Sequence, residues 1–488
     1  MEISAVEFDK IPEGRTRLIL MAKGKDGKPE PLMPLPGTIQ GAVNNLLEKV
    51  RFECEPGEAI NGVIGGEHIL LAGMGEKKDI DTIYRCVSMA VRSIKASEVV
   101  IFAIAVKDRD TIERMARVIS EGLIIATYKF TKAEKKEYLQ KAYIVIPEGG
   151  DIKSAESGIH TGCIIAESVN ISRDLTNDAG EDMSPKGFVD RVIELTKNTK
   201  IKVTVLDEKA MKEKGMNGIL CVGKGSQRPP YLLIMELDLS RRGRGRKKKA
   251  IALVGKGLVF DSGGISIKPS QGMEEMKSDK AGASAVVGAL LALERLKVKS
   301  RVIGIVPLAE NMPGGGAYKP GDLVKMYSGK VVEIISTDAE GRLLLADSLA
   351  YASEMKPSII IDIATLTGAC AIALGRYACG VMGNNQKAVD ALLQAADHAR
   401  EKVWQLPLWE EYAEDIKSHF SHLKNSGGRL GGAITAAAFL KEFVGNTPWV
   451  HMDIAGVAWN NDPKPGVSAG ATGFGVKTMV QYVLDRNR

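Results

Sequence analysis

Five residues that could do chemistry stand at the ends of apolar segments, where a core would not tolerate them alone. Lys256 and Asp261 close one apolar run beside glycines, and Asp279 enters an apolar stretch with helical spacing. Asp338 and Glu340 follow a third apolar run and are two residues apart. If the backbone is extended there, that spacing points both carboxylates to the same side.

The four carboxylates among these residues favour divalent cations. Clustered acids repel one another and lose hydration on burial unless cations hold them. Together Asp261, Asp279, Asp338 and Glu340 carry a formal charge of −4, which two divalent ions would neutralise. Oxygen-rich ligation without Cys or His suits Mn²⁺ or Mg²⁺ and, less obviously, Zn²⁺. From the residues alone, the alternative stays open that these acids cap helices or pair with surface lysines.

The elements that must position these side chains alternate between short apolar strands and amphipathic helices. This alternation predicts an α/β fold with layered, mostly parallel sheets. We expect a smaller N-terminal β/α domain at 1–150, a linking helix at 151–172, and a larger C-terminal α/β domain at 173–488 with a mixed, mostly parallel sheet. Around the acids, the pattern predicts strands at 250–254, 301–307, 331–335, 358–363 and 450–454, and helices at 281–296 and 342–354.

Composition indicates a folded protein in a reducing compartment. Of 488 residues, 44% are hydrophobic and 26% are charged, which is ordinary for a folded chain. The six cysteines are scattered without a CxxC pair, so we expect free thiols. The start lacks a basic and then apolar signal pattern, and the longest apolar run, Val99–Val106, is too short to span a bilayer. We therefore expect a cytoplasmic protein with no membrane association.

Three other signals are weaker. Gly73-Met-Gly75 lacks the third glycine of a dinucleotide fingerprint, and the P-loop-like segment Gly218–Lys224 is followed by Gly225 instead of Ser or Thr. Neither predicts a nucleotide site, and a P-loop phosphotransferase fails on that glycine. The net charge is +6, but seven basic residues lie in Arg241–Lys249, so the rest of the chain is close to neutral. Between two predicted strands, this run favours a solvated hairpin turn, with a nucleic-acid or anion surface as the alternative.

Several motifs give the C-terminal half a family resemblance. Thr337–Leu343 reads Thr-Asp-Ala-Glu-Gly-Arg-Leu, Phe260–Lys268 reads Phe-Asp-Ser-Gly-Gly-Ile-Ser-Ile-Lys, and Met276–Asp279 reads Met-Lys-Ser-Asp. In these blocks the chain resembles the leucyl aminopeptidase family, the M17 metallopeptidases or cytosol aminopeptidases. The resemblance covers the whole second domain, whereas the first resembles the family only in its β/α pattern. One departure is that Asp279 is followed by Lys-Ala-Gly where members more often have Met-Gly-Gly, and we expect only a small change in loop packing.

The resemblance implies two divalent ions per subunit, Mn²⁺ or Zn²⁺ with Mg²⁺ as a further option, that share a bridging water. Lys256, Asp261, Asp279 and Glu340 would hold one ion. Asp261, Asp338 (also through its backbone carbonyl) and Glu340 would hold the other. A lysine ligand must be neutral, so Lys256 would need a pKa well below its usual value of about 10.4.

The resemblance also implies a reaction, the release of single N-terminal amino acids, leucine-like by preference, from peptides with a free N-terminus. The catalytic pair would be Lys268, which stabilises the developing oxyanion, and Arg342, which holds a bicarbonate that acts as general base. Met276, Thr365 and Gly368 would line the pocket for the first side chain. The free α-amine would bind at a metal, which explains removal of one terminal residue instead of internal cleavage.

The partners follow from the same resemblance. The family's hexamers imply a homohexamer. The alternative function is an additional DNA-binding or scaffolding role through the basic run at 241–249, for which that run is the sole support in the sequence. Retention on DNA that depends on salt and on these basic residues would favour the alternative.

Overall fold

A computed structural model describes residues 1–131, 139–240, 249–462 and 468–487. The chain divides into two compact units: Met1–Glu167 with Asp462–Ala469, the N-terminal unit, and Ser168–Asn461 with Gly470–Arg488, the C-terminal unit. The N-terminal unit thus reaches Glu167, past the predicted domain at 1–150, and also includes a segment near the end of the chain. The predicted linking helix at 151–172 is part of a longer helix, in which the division between the units falls.

The N-terminal unit is a seven-stranded sheet with helices on both faces, in the strand order β1-β7-β6-β2-β5-β4, with β3 paired to β2. Its neighbours are parallel except for the β4–β5 and β2–β3 pairs. Its elements are β1 (Glu2–Glu7), β2 (Thr16–Lys23), β3 (Pro29–Pro31), α1 (Gly37–Lys49), β4 (Ala59–Ile64), β5 (Glu67–Gly73), α2 (Ile80–Ala90), a 3₁₀ turn (Val91–Ser93), β6 (Glu98–Phe102), α3 (Arg109–Thr127), β7 (Lys141–Ile146) and the start of α4 (Ile152–Asn177).

The C-terminal unit holds a nine-stranded mixed sheet. Its elements are α5 (Pro185–Thr196), β8 (Lys202–Leu206), α6 (Glu208–Lys214), α7 (Asn217–Gly223), β9 (Tyr231–Asp238), β10 (Ile251–Gly255), β11 (Gly257–Asp261), a 3₁₀ helix (Met273–Lys280), α8 (Ala281–Arg295), β12 (Arg301–Asn311), β13 (Leu323–Lys325), β14 (Val331–Glu333), α9 (Gly341–Glu354), β15 (Ile359–Ala364), α10 (Gly368–Leu374), β16 (Cys379–Gly383), α11 (Gln386–Ala399), β17 (Val403–Gln405), a 3₁₀ helix (Glu410–Ile416), β18 (Leu423–Lys424), α12 (Gly432–Lys441), β19 (Trp449–Asp453), β20 (Trp459–Asn460), β21 (Gly470–Ala471) and α13 (Val476–Asp485).

The large sheet has the order β17-β16-β19-β15-β10-β12-β9-β8, with β11 also paired to β12. Its centre is parallel, from β19 through β15 and β10 to β12. The carboxyl ends of these strands therefore meet at one edge of the sheet, which we call the carboxyl edge. The two units together confirm the predicted α/β class with mixed, mostly parallel sheets.

Helices cover both faces of the large sheet. On one face α8 packs against β10, β12 and β15, with α13 behind it, and on the other α7, α9 and α12 pack against the sheet. Every residue of Ala281–Leu293 in α8 is buried, as expected of a helix that is apolar on all sides. The close packing depends on Gly282, because a Cβ at this position would lie 2.2 Å from the carbonyl oxygen of Ile363 in β15.

One local prediction, the hairpin between β9 and β10, needs correction. The predicted turn at Arg241–Lys249 falls on residues 241–248, which lie outside the described residues. The strands on either side, β9 and β10, are not paired as in a hairpin, because β12 lies between them. Apolar residues therefore predicted the flanking strands but not their partners. The P-loop-like segment forms the helix α7 instead of a phosphate-binding loop, which agrees with its rejection as a nucleotide site.

All six cysteines are free. None of the helices in the described residues is both long enough and apolar enough to span a membrane.

Candidate functional site

The predicted site residues meet at the carboxyl edge of the C-terminal unit. Lys256 follows β10, Asp261 ends β11, and Asp279 lies in the 3₁₀ helix that leads into α8. Asp338 and Glu340 lie in the turn before α9. Four separate segments therefore bring their side chains to one place, as is common where ligands bind to open α/β sheets.

Lys256 is the buried cation at the centre of this cluster, with 2% of its surface exposed. Its Nζ lies 2.8 and 2.7 Å from the two carboxylate oxygens of Asp279 and 3.0 Å from Oε1 of Glu340. It also donates to the carbonyl oxygen of Thr365 at 2.9 Å. Gly341 makes room for this side chain, because a Cβ there would lie 2.5 Å from Cε of Lys256.

Burial disfavours the charge on Lys256, but the carboxylates of Asp279 and Glu340 outweigh that effect and raise its pKa. Without bound metal, the lysine is therefore a cation that balances the acids. Metal ligation requires the opposite, a low pKa for Lys256. The pKa of Lys256 is high here because the lysine itself neutralises the carboxylates that divalent cations would otherwise neutralise.

Asp261 divides its two carboxylate oxygens between different partners. Oδ1 accepts hydrogen bonds from the backbone N–H of Gly263 and from Nδ2 of Asn311, both at 2.9 Å. Oδ2 lies 2.8 Å from Nζ of Lys268, which also pairs with Asp338. The Lys268 side chain is 22% exposed, so this second cation lies nearer to solvent than Lys256.

The backbone around Asp338 and Glu340 differs from the expected extended conformation. β14 ends at Glu333, Asp338 lies in a turn, and Glu340 already has the helical angles φ −77° and ψ −38° as the residue before α9. The reasoning from alternation was therefore wrong. The turn nevertheless brings one carboxylate oxygen each of Asp261, Asp338 and Glu340 within 4.8 Å of one another.

This acid cluster fits a divalent cation. Burial, followed by the charge of Asp261, raises the pKa of Glu340, and burial likewise raises the pKa of Asp279 and of Asp338. Among the described residues, Oε2 of Glu340 is buried without a hydrogen-bond partner. A buried, unpartnered carboxylate oxygen beside other acids is a costly arrangement that a cation would relieve.

Arg342 lies on the first turn of α9, two residues after Glu340, and is 8% exposed. Burial lowers its pKa to about 10, so the guanidinium still carries its charge at neutral pH. Its Nε has no hydrogen-bond partner among the residues that the structure describes. A buried guanidinium with a free donor is suited to a small planar anion.

The three predicted pocket residues have different environments. Thr365 lies directly after β15, and its hydroxyl donates to Oδ1 of Asp279 at 2.5 Å, so it orients that acid. Met276 is half-buried in the 3₁₀ helix that carries Asp279. Gly368 is exposed at the start of α10, and a Cβ there would meet no atom within 4 Å. An open space therefore adjoins Gly368, whereas the polar group of Thr365 is already engaged.

Sequence reasoning missed the residues that hold the acids in place. Asn311 ends β12 and binds Asp261, and the buried Asn425 accepts from the backbone N–H of Ile335 at 2.7 Å and donates to the carbonyl oxygen of Ser336, also at 2.7 Å. A signal was present for Asn311, because Asn at the end of a long apolar strand is as conspicuous as Asp261. Nothing in the pattern around Asn425 indicated that its side chain reaches a turn some 90 residues away.

Comparisons with known proteins agree with this site. A profile described as the catalytic domain of the cytosol aminopeptidase family matches residues 170–480. A probable cytosol aminopeptidase of Geobacter sulfurreducens is 41% identical over 462 residues, covering 91% of each chain. One from Aquifex aeolicus is 39% identical over 498 residues, covering 99% of this chain and 98% of the other. Among solved structures, the bottromycin maturation enzyme BotP in complex with Mn is similar, with a TM-score of 0.85 and 30% identity over 97% of this chain and 100% of that one.

The α/β fold and the acid cluster thus fit a metal-dependent hydrolase. The chain belongs to the cytosol aminopeptidase family, as the profile over its C-terminal unit and the relatives over nearly its full length show. Its class of activity is accordingly that of a metallo-aminopeptidase that uses divalent metal. The comparisons give no support to the alternative nucleic-acid role of the basic run at 241–249.

The buried ion pair generates a prediction about stability. In chelator-treated protein, Lys256→Met leaves Asp279 and Glu340 without their buried cation and lowers the free energy of unfolding by about 3–5 kcal/mol. Because burial already raises the pKa of both acids, the loss is largest at neutral pH and shrinks as the pH falls and they protonate. Chemical denaturation at several pH values measures this.

The matched control is Lys417→Met, which removes an ion pair to Glu414 whose side chains are 63% and 66% exposed. Such a surface pair contributes less than about 1 kcal/mol. Equal, pH-independent losses in the two variants would show that Lys256 does not neutralise the acid cluster.

Proposed function

We propose that this protein is a dinuclear leucyl-type aminopeptidase that hydrolyses peptides from a free N-terminus. The observation that carries the proposal is the convergence of four carboxylates and Lys256 at the carboxyl edge, with Lys256 within 3.0 Å of both Asp279 and Glu340. Family membership supports the aminopeptidase class, and the arrangement of the acids supports the finer assignment.

The proposed ligands divide into two overlapping sets. Lys256, Asp261, Asp279 and Glu340 would hold one ion, and Asp261, Asp338 and Glu340 would hold the other. The mutual proximity of the three acids in the second set supports this division. When bound, such ions polarise the scissile carbonyl and make a water molecule acidic enough to attack it at neutral pH. An oxygen-rich set favours Mn²⁺, in keeping with the Mn complex of the similar bottromycin maturation enzyme; Zn²⁺ and Mg²⁺ are the alternatives.

Lys268 and Arg342 are the proposed catalytic pair. Lys268 remains a cation, because although burial opposes its charge, Asp261 and Glu340 raise its pKa. A cation beside Asp261 and Asp338 is placed to stabilise an oxygen that gains negative charge during the reaction. Arg342, with its free Nε, would hold a bicarbonate, which would supply a general base for the reaction.

Substrate recognition is proposed to use charge at one end and an apolar pocket at the other. The free α-amine of the peptide binds at the acid cluster, which explains cleavage after a single residue. The first side chain lies against Met276 and beside the open position at Gly368, with the methyl group of Thr365 as the third surface. A pocket with little polar lining favours leucine-like residues.

We further propose that the chain forms a homohexamer and acts in the cytoplasm. Several large apolar side chains of the C-terminal unit are at least 65% exposed in the single chain, which supports burial between copies. They are Ile372, Tyr377, Trp404, Trp409, Phe420 and Leu430. The free cysteines and the similarity to probable cytosol aminopeptidases support the cytoplasmic location.

The direct test of the proposal is Glu340→Gln, which removes the charge of an acid shared by both proposed ion sites. We expect hydrolysis of leucine amide to be abolished and metal content after gel filtration to fall. Glu354→Gln, at the exposed end of α9 far from Glu340, is the control and should retain both leucine amide hydrolysis and metal content. Turnover close to that of the native protein in Glu340→Gln would rule out the dinuclear assignment.

The bicarbonate role has its own test, because Arg342→Ala should separate turnover from metal binding. We expect kcat to fall by about 10²–10⁴-fold, the usual contribution of a general base, with metal content unchanged. Added bicarbonate should stimulate bicarbonate-depleted native protein but not the variant, and Arg342→Lys should recover part of the response. Loss of metal in proportion to activity would instead make Arg342 a structural residue.

A further inference from the structure

Asn311, for which the proposed mechanism has no role, connects two of the acid-bearing segments. It is the last residue of β12, and none of its surface is exposed. Its Nδ2 donates to Oδ1 of Asp261 at 2.9 Å and to the carbonyl oxygen of Thr337 at 3.0 Å. Asp261 is 50 residues before it and Thr337 is 26 residues after it. One side-chain amide therefore joins the end of β11 to the residue that precedes Asp338.

The orientation of this amide follows from its neighbours. Both partners of Nδ2 are acceptors, so a flipped amide would place its oxygen against a carboxylate and a carbonyl. Oδ1 of Asn311 has no hydrogen-bond partner within the described ranges. A Cβ at Gly264 would lie 2.7 Å from that oxygen. The glycine thus leaves room for the amide, which can turn its donor only toward Asp261 and Thr337.

These contacts decide which oxygen of Asp261 is available. Oδ1 already accepts from Asn311 and from the backbone N–H of Gly263. Oδ2 lies on the side of Lys268, 2.8 Å from its Nζ. A carboxylate held at one oxygen by two donors can rotate little about its final bond, so Oδ2 is the oxygen that faces the acid cluster.

Thr337 is fixed just as firmly. Its carbonyl oxygen also accepts from the hydroxyl of Tyr318 at 2.8 Å, and its own hydroxyl donates to the carbonyl oxygen of Gly263 at 2.6 Å. Thr337 and Ser266 each accept, at the side-chain oxygen, a hydrogen bond from the other's backbone N–H, at 2.7 and 3.1 Å. The peptide between Thr337 and Asp338 is therefore held against the loop that carries Asp261 and Lys268.

We propose that Asn311 is a positioning residue for divalent-metal binding, because it holds Oδ1 of Asp261 and the carbonyl of Thr337 and so aims Oδ2 of Asp261 and the carboxylate of Asp338 at the cations. The inference rests on the proposed metal site. Carboxylates that lie within 4.8 Å of each other repel, and the hydrogen bonds of Asn311 help to hold two of their segments in place. An amide restrains them without adding a charge that would compete with the metal.

The experiment is a calorimetric titration of chelator-treated protein with Mn²⁺. Asn311→Ala should bind Mn²⁺ about 10- to 100-fold more weakly than the native protein, the usual effect of losing a partner behind a metal ligand. Asn311→Ser, whose hydroxyl can make one of the two hydrogen bonds, should fall between the two proteins. It also keeps the test decisive if the alanine variant fails to fold.

The matched control is Asn384→Ala. Asn384 also bridges two backbone groups, because it donates to the carbonyl oxygen of Thr447 at 2.9 Å and accepts from the backbone N–H of Trp449 at 2.8 Å. It lies at the amino end of β19, on the side of the sheet away from the acids. We expect this variant to melt at a lower temperature and to bind Mn²⁺ with native affinity.

The outcomes separate the inference from the proposed function. Asp261→Asn removes a proposed ligand and should lose Mn²⁺ binding. If it does so while both Asn311 variants bind Mn²⁺ with native affinity, the positioning role is overturned and the metal site stands. If Asp261→Asn keeps native affinity, the proposed metal site is overturned and the inference falls with it. A lower melting temperature in Asn311→Ala with unchanged affinity would make Asn311 a merely structural residue.

Discussion

The main physical constraint on this structure is the mutual repulsion of four carboxylates at one edge of a sheet. Asp261, Asp279 and Glu340 are at most 6% exposed, so water cannot screen their charges. In formal charge, Lys256 and Lys268 supply two positive charges against four negative ones, which leaves a net negative charge when all four acids are ionised. A buried arrangement of this kind is destabilising on its own, and its excess negative charge suits the divalent cations that we propose to bind there.

The fold provides the geometry that the acids cannot provide themselves. The central parallel strands place the ends of β10, β11, β12 and β15 at one edge, and the buried helix α8 and the helix α9 bring Asp279 and Glu340 to the same edge. Close contacts that only glycine permits, at Gly282 and Gly341, keep these elements near enough for the side chains to meet. Neutral donors such as Asn311 and Thr365 then fix the individual carboxylates. The charges of the acids, the positions of the segments that carry them and the orientations of the carboxylates thus come from separate parts of the chain.

The sequence predicted the central elements well, because their patterns are strong and local. Continuous apolar runs marked the buried strands, and the acids at their ends stood out because a core excludes them. The turn at Asp338 was missed because β14 stops after Glu333, and the packing that ends it involves distant residues. The pairing of β9 with β12 instead of β10 was also missed, because an apolar run indicates a buried strand but not which strand lies beside it. Side-chain bridges such as that of Asn311 are long-range in sequence, and residue types alone do not specify their partners.

Anomalous diffraction from crystals of the chelator-treated protein soaked in Mn²⁺ would locate the cations themselves. We expect two peaks in each chain, both beside Asp261 and Glu340. One of them should also lie against Lys256 and Asp279, and the other against Asp338. A single peak at the cluster, or manganese bound elsewhere with these acids turned toward solvent, would be incompatible with a carboxyl edge that is built to hold a pair of cations.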